Sequence, residues 1–314
     1  IAGFHIIVRK EANTMNEGKQ NQMSGWKRTG WIALGVAPVV AVFLWQVIAS
    51  AVGMIVYEVY RAYQAAAAGV TEIDSDQIIA DFLDGTGMSY SILMFSIYVG
   101  YLIIFGLWYG FMFVRKQRTG SWKQVWKPQR ILGIIGCGIA LQLFLSMALT
   151  VILPLLPKLQ EQYARLMDTL GSDSVFMMVC VCLLAPIGEE LIFRGLSLRI
   201  FRKAIPWQAA VIAQALLFGI YHMNLVQGVY ATLLGLILGY TAYRYGSVLP
   251  GMLLHIVINS SSYGLNFILP ASIEDSLPGQ IVAGGIGMVV AIGCLLLYVK
   301  GVRPAGSVKS TATN

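Results

Sequence analysis

Charge-free apolar runs recur along the chain at roughly 29–57, 88–114, 131–157, 174–188, 204–221, 223–243, 245–268 and 276–299. A helix needs about 20 mostly apolar residues to cross the hydrocarbon core of a bilayer, so each run predicts one membrane-spanning helix. The fourth continues past a pair of glutamates, and the fifth and sixth are parted only by a turn at 222–224. The pattern therefore predicts an all-α polytopic membrane protein of about eight transmembrane helices. Of its residues 57% are hydrophobic and only 12% are charged. Soluble domains carry about 25% charged residues, so a soluble globular class is excluded.

Charge then orients the helices. The net charge of +7 invites a nucleic-acid partner, but its distribution answers to the membrane instead. With both termini placed in the cytoplasm, nineteen of the 22 Lys and Arg fall on the inner side, leaving Arg61, Lys158 and Arg165 outside. Eleven of the 15 acids fall outside. That asymmetry is the positive-inside pattern. The segment 115–130, RKQRTGSWKQVWKPQR, sets Trp122 and Trp126 among six cations. It reads as an anchor at the anionic inner leaflet, with the lipid bilayer rather than nucleic acid as its partner.

Four stretches follow. Residues 1–28 form a cytoplasmic N-terminal segment. Residues 1–14 have neither an apolar core of signal-peptide length nor a small-residue cleavage site, and Met15 is a candidate natural start. Residues 29–173 hold the first three spans and an acidic outer loop, 58–87, that reads as solvated or as an external cap. Residues 174–268 hold spans four to seven. Residues 269–314 hold the eighth span and a basic cytoplasmic tail. Cys137, Cys180, Cys182 and Cys294 all lie in apolar runs and read as packing residues. Gly235 and Gly239 in GLILG make a small-residue face for close helix contact. No internal repeat of the transporter kind is found.

Three polar groupings break the apolar runs. Glu189 and Glu190 stand together in LLAPIGEELIFRGL, with Arg194 four residues on. An ionisable group at membrane depth is costly and points to function. Residues four apart share a helix face, so Glu190 and Arg194 can pair as a brace. Glu189, rotated about 100° away, is left to act as a general base. Phe218 and His222 share a face in FGIYH, where the ring can orient the imidazole. His255 and Asn259 do the same in HIVIN, and their N–H groups suit a developing oxyanion. One feature fits poorly. His222 lies about 18 residues, or ~27 Å, beyond the start of its span, whereas Glu189 is about a dozen from its own inner end.

Taken together, EELIFR (189–194), FGIYH (218–222) and HIVIN (255–259) show the EExxxR, FxxxH and HxxxN series in order and without departure. The chain resembles the CPBP family of intramembrane proteases, the CAAX-protease, Abi or Rce1-like group. The FRG after the glutamates and GSVLPGMLLH before His255 resemble it too. The likeness covers about 174–268. It implies a catalytic core there, an intramembrane endopeptidase with a membrane-embedded site, and catalytic roles for Glu189, His222, His255 and Asn259. Glu190, Arg194 and Phe218 would support them. The expected substrate is a peptide or membrane protein, with roles in bacteriocin processing or self-immunity within the family's range, and the expected location is a bacterial plasma membrane.

Two readings compete with a cofactor-free glutamic enzyme. In one, Glu189, His222 and His255 bind Zn, since two histidines and a carboxylate suit hydrolytic zinc. HExxH is absent, however, and Asn259 is a better oxyanion donor than zinc ligand. In the other, the chain is a non-catalytic membrane scaffold or signalling regulator, against which stands the retention of every motif residue.

Overall fold

The computed structural model describes residues 20, 22–69, 87–113, 126–170, 175–300 and 302. Among them all regular structure is helical, without a strand. The chain runs through α1 (Gly25–Ala67), α2 (Gly87–Met112), α3 (Pro128–Ile152), α4 (Pro157–Leu170) and α5 (Val175–Phe201). It continues through α6 (Trp207–Tyr221), α7 (Leu225–Tyr245), α8 (Leu249–Ile268) and α9 (Leu277–Val299). Each expected apolar run lies on one of these helices.

By length and composition, six are able to cross a membrane: α1, α2, α3 with its 3₁₀ extension, α5, α7 and α9. The remaining two runs differ for a physical reason. Helix α6 has only 15 residues, and α8, at 20, carries His255, Asn259 and three serines. These are the two helices that hold the FGIYH and HIVIN motifs, so the departure from simple spans falls where polar groups gather. The shorter α6 also narrows the depth mismatch. His222 lies ~22 Å from its helix start at Trp207, and Glu189 ~18 Å from Phe201.

Local chemistry sets the ends. Pro128 occupies the first turn of α3, where no N–H partner is needed. The Asn224 carboxamide caps α7 by accepting from the Gln227 N–H at 3.0 Å. Gly246, at φ +64°, closes α7 in the left-handed conformation favoured there. At 43 residues α1 is ~65 Å long, twice a bilayer core, and it extends the first span well into the 58–87 segment. The 76–85 stretch of that segment lies outside the described residues, as do Met15 and Trp122.

In lipid, helices associate through close packing rather than hydrophobic transfer, and glycines set the closest approaches. The GLILG face packs α7 on α6, with a Cβ at Gly235 only 3.0 Å from Ala215. Likewise, Gly287 of α9 presses against the Ala140 carbonyl of α3. One core lies between α3, α7, α8 and α9, around Ile134, Leu238, Leu254 and Tyr298. A second joins α1, α2, α5 and α6 around Val42, Tyr101, Phe193 and Phe218, and a third gathers Leu198, Phe201, Ala210, Val211 and Ala242 where α5, α6 and α7 meet. Outward faces of α1 and α9 expose Val47, Ile55, Val289 and Leu297, as lipid-facing surfaces do. Cys137 and Cys180 are buried, Cys182 and Cys294 half-buried, and none of the four is in a disulfide.

Candidate active site

Helix α5 is not regular. It opens into π-helical turns at Cys180–Leu184 and Glu190–Ser197, either side of a short α segment that ends on Glu189. Such widened turns recur at functional sites because they re-aim side chains and free backbone carbonyls. Here the freed Val181 carbonyl accepts a hydrogen bond from the Asn259 Nδ2 at 2.9 Å. Gly188 is required just before the glutamates, because the Tyr101 ring fills the place where a Cβ would stand.

The two glutamates have different surroundings. Glu190 and Arg194 are fully buried, with Nη1 and Oε1 2.8 Å apart. The contact is an ion pair without aligned hydrogen-bond geometry. The guanidinium also stands over the Phe218 ring at 4.3 Å, a cation–π contact that partly replaces lost hydration. The other carboxylate oxygen of Glu190 faces the bare Cα of Gly251, where a Cβ would approach to 2.5 Å. Glu189 instead borders a cavity of about 530 Å³ and, among the described residues, has no guanidinium or ammonium partner in contact.

His255 stands between the acids, its Nε2 3.6 Å from Glu189 Oε2 and its Nδ1 3.4 Å from Glu190 Oε1. That place was not legible from HIVIN, which suggested only a donor on the Asn259 face. His222 Nδ1 lies 2.7 Å from the Phe218 carbonyl. A carbonyl can only accept, so Nδ1 carries a proton, and in the neutral ring Nε2 holds the lone pair. Phe218 is edge-on to both imidazoles, at 4.8 and 5.8 Å between ring centres. Asn259 differs from its expected state, since one carboxamide N–H is already used on Val181 and one remains for the cavity.

Glu189, His222, His255, Asn259 and Phe218 all line this one cavity, while Glu190 and Arg194 lie behind its wall. The cavity also takes in Tyr221, within FGIYH, and polar residues outside the motifs, including Gln46, Gln142, Gln227, Tyr98 and Tyr230. Gln46 donates to the Tyr221 hydroxyl at 2.9 Å, which holds that ring beside His222. A signal for Gln46 and Gln142 did exist, as each is a lone carboxamide in an apolar run. The tyrosines, common at membrane interfaces, gave none. Among the described residues, no three His, Cys, Asp or Glu side chains are arranged to hold a metal ion.

No curated protein and no solved structure matches the chain. A family model does match: residues 171–261, which hold all three motifs, fit the type II CAAX prenyl endopeptidase Rce1-like family, consistent with the CPBP family.

Proposed function

We propose that this integral membrane protein is an endopeptidase in which Glu189 activates water against a peptide bond inside the cavity. The observation that carries the reading is the unequal fate of adjacent carboxylates: Glu190 is paired with Arg194, whereas Glu189 borders the cavity with no guanidinium or ammonium in contact among the described residues. The Rce1-like match supports the protease class.

In this reading a water lies between Glu189 and the free Nε2 of His222. Glu189 takes one proton, and the hydroxide adds to the carbonyl carbon. The tetrahedral oxyanion is met by the remaining N–H of Asn259 and by His255. Collapse breaks the C–N bond, and Glu189 returns its proton to the leaving amine, giving one acid and one amine per water consumed. Preorganised donors of this kind are worth most in a water-poor site. The donor set suits this chemistry better than zinc, since among the described residues no three His, Cys, Asp or Glu side chains are grouped as a zinc site needs. A bacterial plasma membrane is the proposed setting, with bacteriocin processing or self-immunity as the proposed context.

Proteomics of cells carrying wild-type protein or Glu189→Gln tests this directly. One or more membrane-associated polypeptides should accumulate uncut in the variant at equal protein levels. Identical substrate profiles would overturn the enzymatic reading.

A further inference from the structure

The cavity lies at one end of the bundle, and the charges lie at the other. On α5 it is lined by Val181 and Ala185, in the half nearer the Val175 end, and by Glu189 at the middle of the helix. On α3 the lining residues Gln142, Leu145 and Leu149 are nearer Ile152, and on α7 the lining stops at Leu234, in the half nearer Leu225. The rim is completed by the amphipathic α4, through Tyr163, Leu166 and Met167, and by His222 at the α6–α7 turn. All these helix ends belong to a single side of the bundle.

The opposite end holds Arg28, Arg130, Arg199, Arg202, Lys203 and Arg244. Several are fixed in place there. Arg199 donates to the Gly246 carbonyl at 2.9 Å, and the Lys203 ammonium stands 4.0 Å from the Trp31 ring centre. By contrast, the cavity end carries Glu58, Glu161, Asp168, Glu274 and Asp275 against three cations, Arg61, Lys158 and Arg165. Lysine and arginine near span ends stay on the cytoplasmic side.

We propose that the cavity opens on the non-cytoplasmic face of the membrane and receives polypeptide segments presented from that side. This rests on the endopeptidase reading for the substrate, but not for the orientation. The wall has the chemistry for such a segment. Carboxamides of Gln46, Gln142 and Gln227 carry both donors and acceptors, as unpaired peptide groups need. Glu189 is the one acid or fixed cation among the lining residues, so the segment at the cut is uncharged. A prenylated tail on the cytoplasmic face would arrive at the wrong end.

Single cysteines probe the opening in a background where Cys137, Cys180, Cys182 and Cys294 are replaced by alanine. Met223→Cys sits on the exposed α6–α7 turn and Leu166→Cys on the rim helix, while Ser247→Cys marks the other end. Intact cells are treated with a membrane-impermeant maleimide. Met223→Cys and Leu166→Cys should label several-fold above the parent, and Ser247→Cys only after permeabilisation. Labelling of Ser247→Cys alone, or of no site until the cells are opened, overturns the proposal. If the cysteine-free parent does not fold, the same variants are read in the native background after subtracting wild-type label. The readout needs no substrate. A correctly oriented cavity in a protein that cuts nothing would refute the proposed function and leave the orientation standing.

Discussion

Replacing Glu190 by glutamine keeps the side chain's shape and removes its charge. Arg194 then remains fully buried with no anion in contact, and its Nε and Nη2 already lack protein acceptors. Breaking one side of a buried ion pair costs about 3–5 kcal/mol, because the surviving charge stays desolvated. The Phe218 face, worth on the order of 1–2 kcal/mol as a desolvated cation–π contact, offsets none of that loss, because it is already in place in the wild type. His255 Nδ1 loses its facing carboxylate as well. Glu189→Gln differs, since its nearest ionic contact is a 3.6 Å approach to His255 and the net worth of such a contact is about 1 kcal/mol or less. The slope is ~2–4 °C per kcal/mol for chains of 150–250 residues, and at its lower end, as suits this longer chain, Glu190→Gln should lower Tm by roughly 6–10 °C. Glu189→Gln should lower it by no more than a few degrees. The assay is thermal unfolding of purified protein in one detergent, followed in parallel with cleavage of whichever polypeptide the proteomic comparison identifies. Both variants should be inactive. The double variant Glu190→Gln/Arg194→Met should recover much of the lost Tm, because it removes the orphaned charge. Equal losses in the two single variants, or no recovery in the double, would refute the separation of brace from base.

Asn259→Ala removes the donor to the Val181 carbonyl and the remaining cavity N–H together. It should cost about 1 kcal/mol of stability and lower kcat ~10²–10³-fold with KM nearly unchanged, as steady-state kinetics will show. Activity should survive chelators and gain nothing from added zinc, checked by metal analysis of active protein; zinc-restored activity in His255→Ala would contradict the carboxylate mechanism. Gly188→Ala forces a methyl into the Tyr101 ring. Overpacking of that kind costs roughly 1–3 kcal/mol, and relief by Tyr101→Ala in the double variant, read by Tm, would trace the cost to that contact.

The helices were open to reading from one dimension because lipid imposes a strong rule: every backbone polar group must be satisfied within the segment. Runs of about 20 apolar residues therefore declare their helices, as 131–157 and 276–299 do for α3 and α9. The motif residues were equally visible, since a carboxylate or imidazole within such a run has no bland role in lipid. The i, i+4 spacing of Glu190 and Arg194 likewise anticipated a pair, and these two do meet at 2.8 Å. Spacing along one helix, however, says nothing about what a neighbouring helix brings. Only the packed bundle set His255 between both glutamates, used one Asn259 N–H on a carbonyl freed by a π turn, and brought Gln46 from α1 to Tyr221 on α6. Amphipathic α4, too polar to read as a span, became part of the cavity rim only in three dimensions. Solvent chemistry is written locally in each stretch of chain, and so the sequence alone determined the helices and the reactive groups. The site's division of labour depends on distances between helices far apart in sequence, and those exist only once the helices are packed.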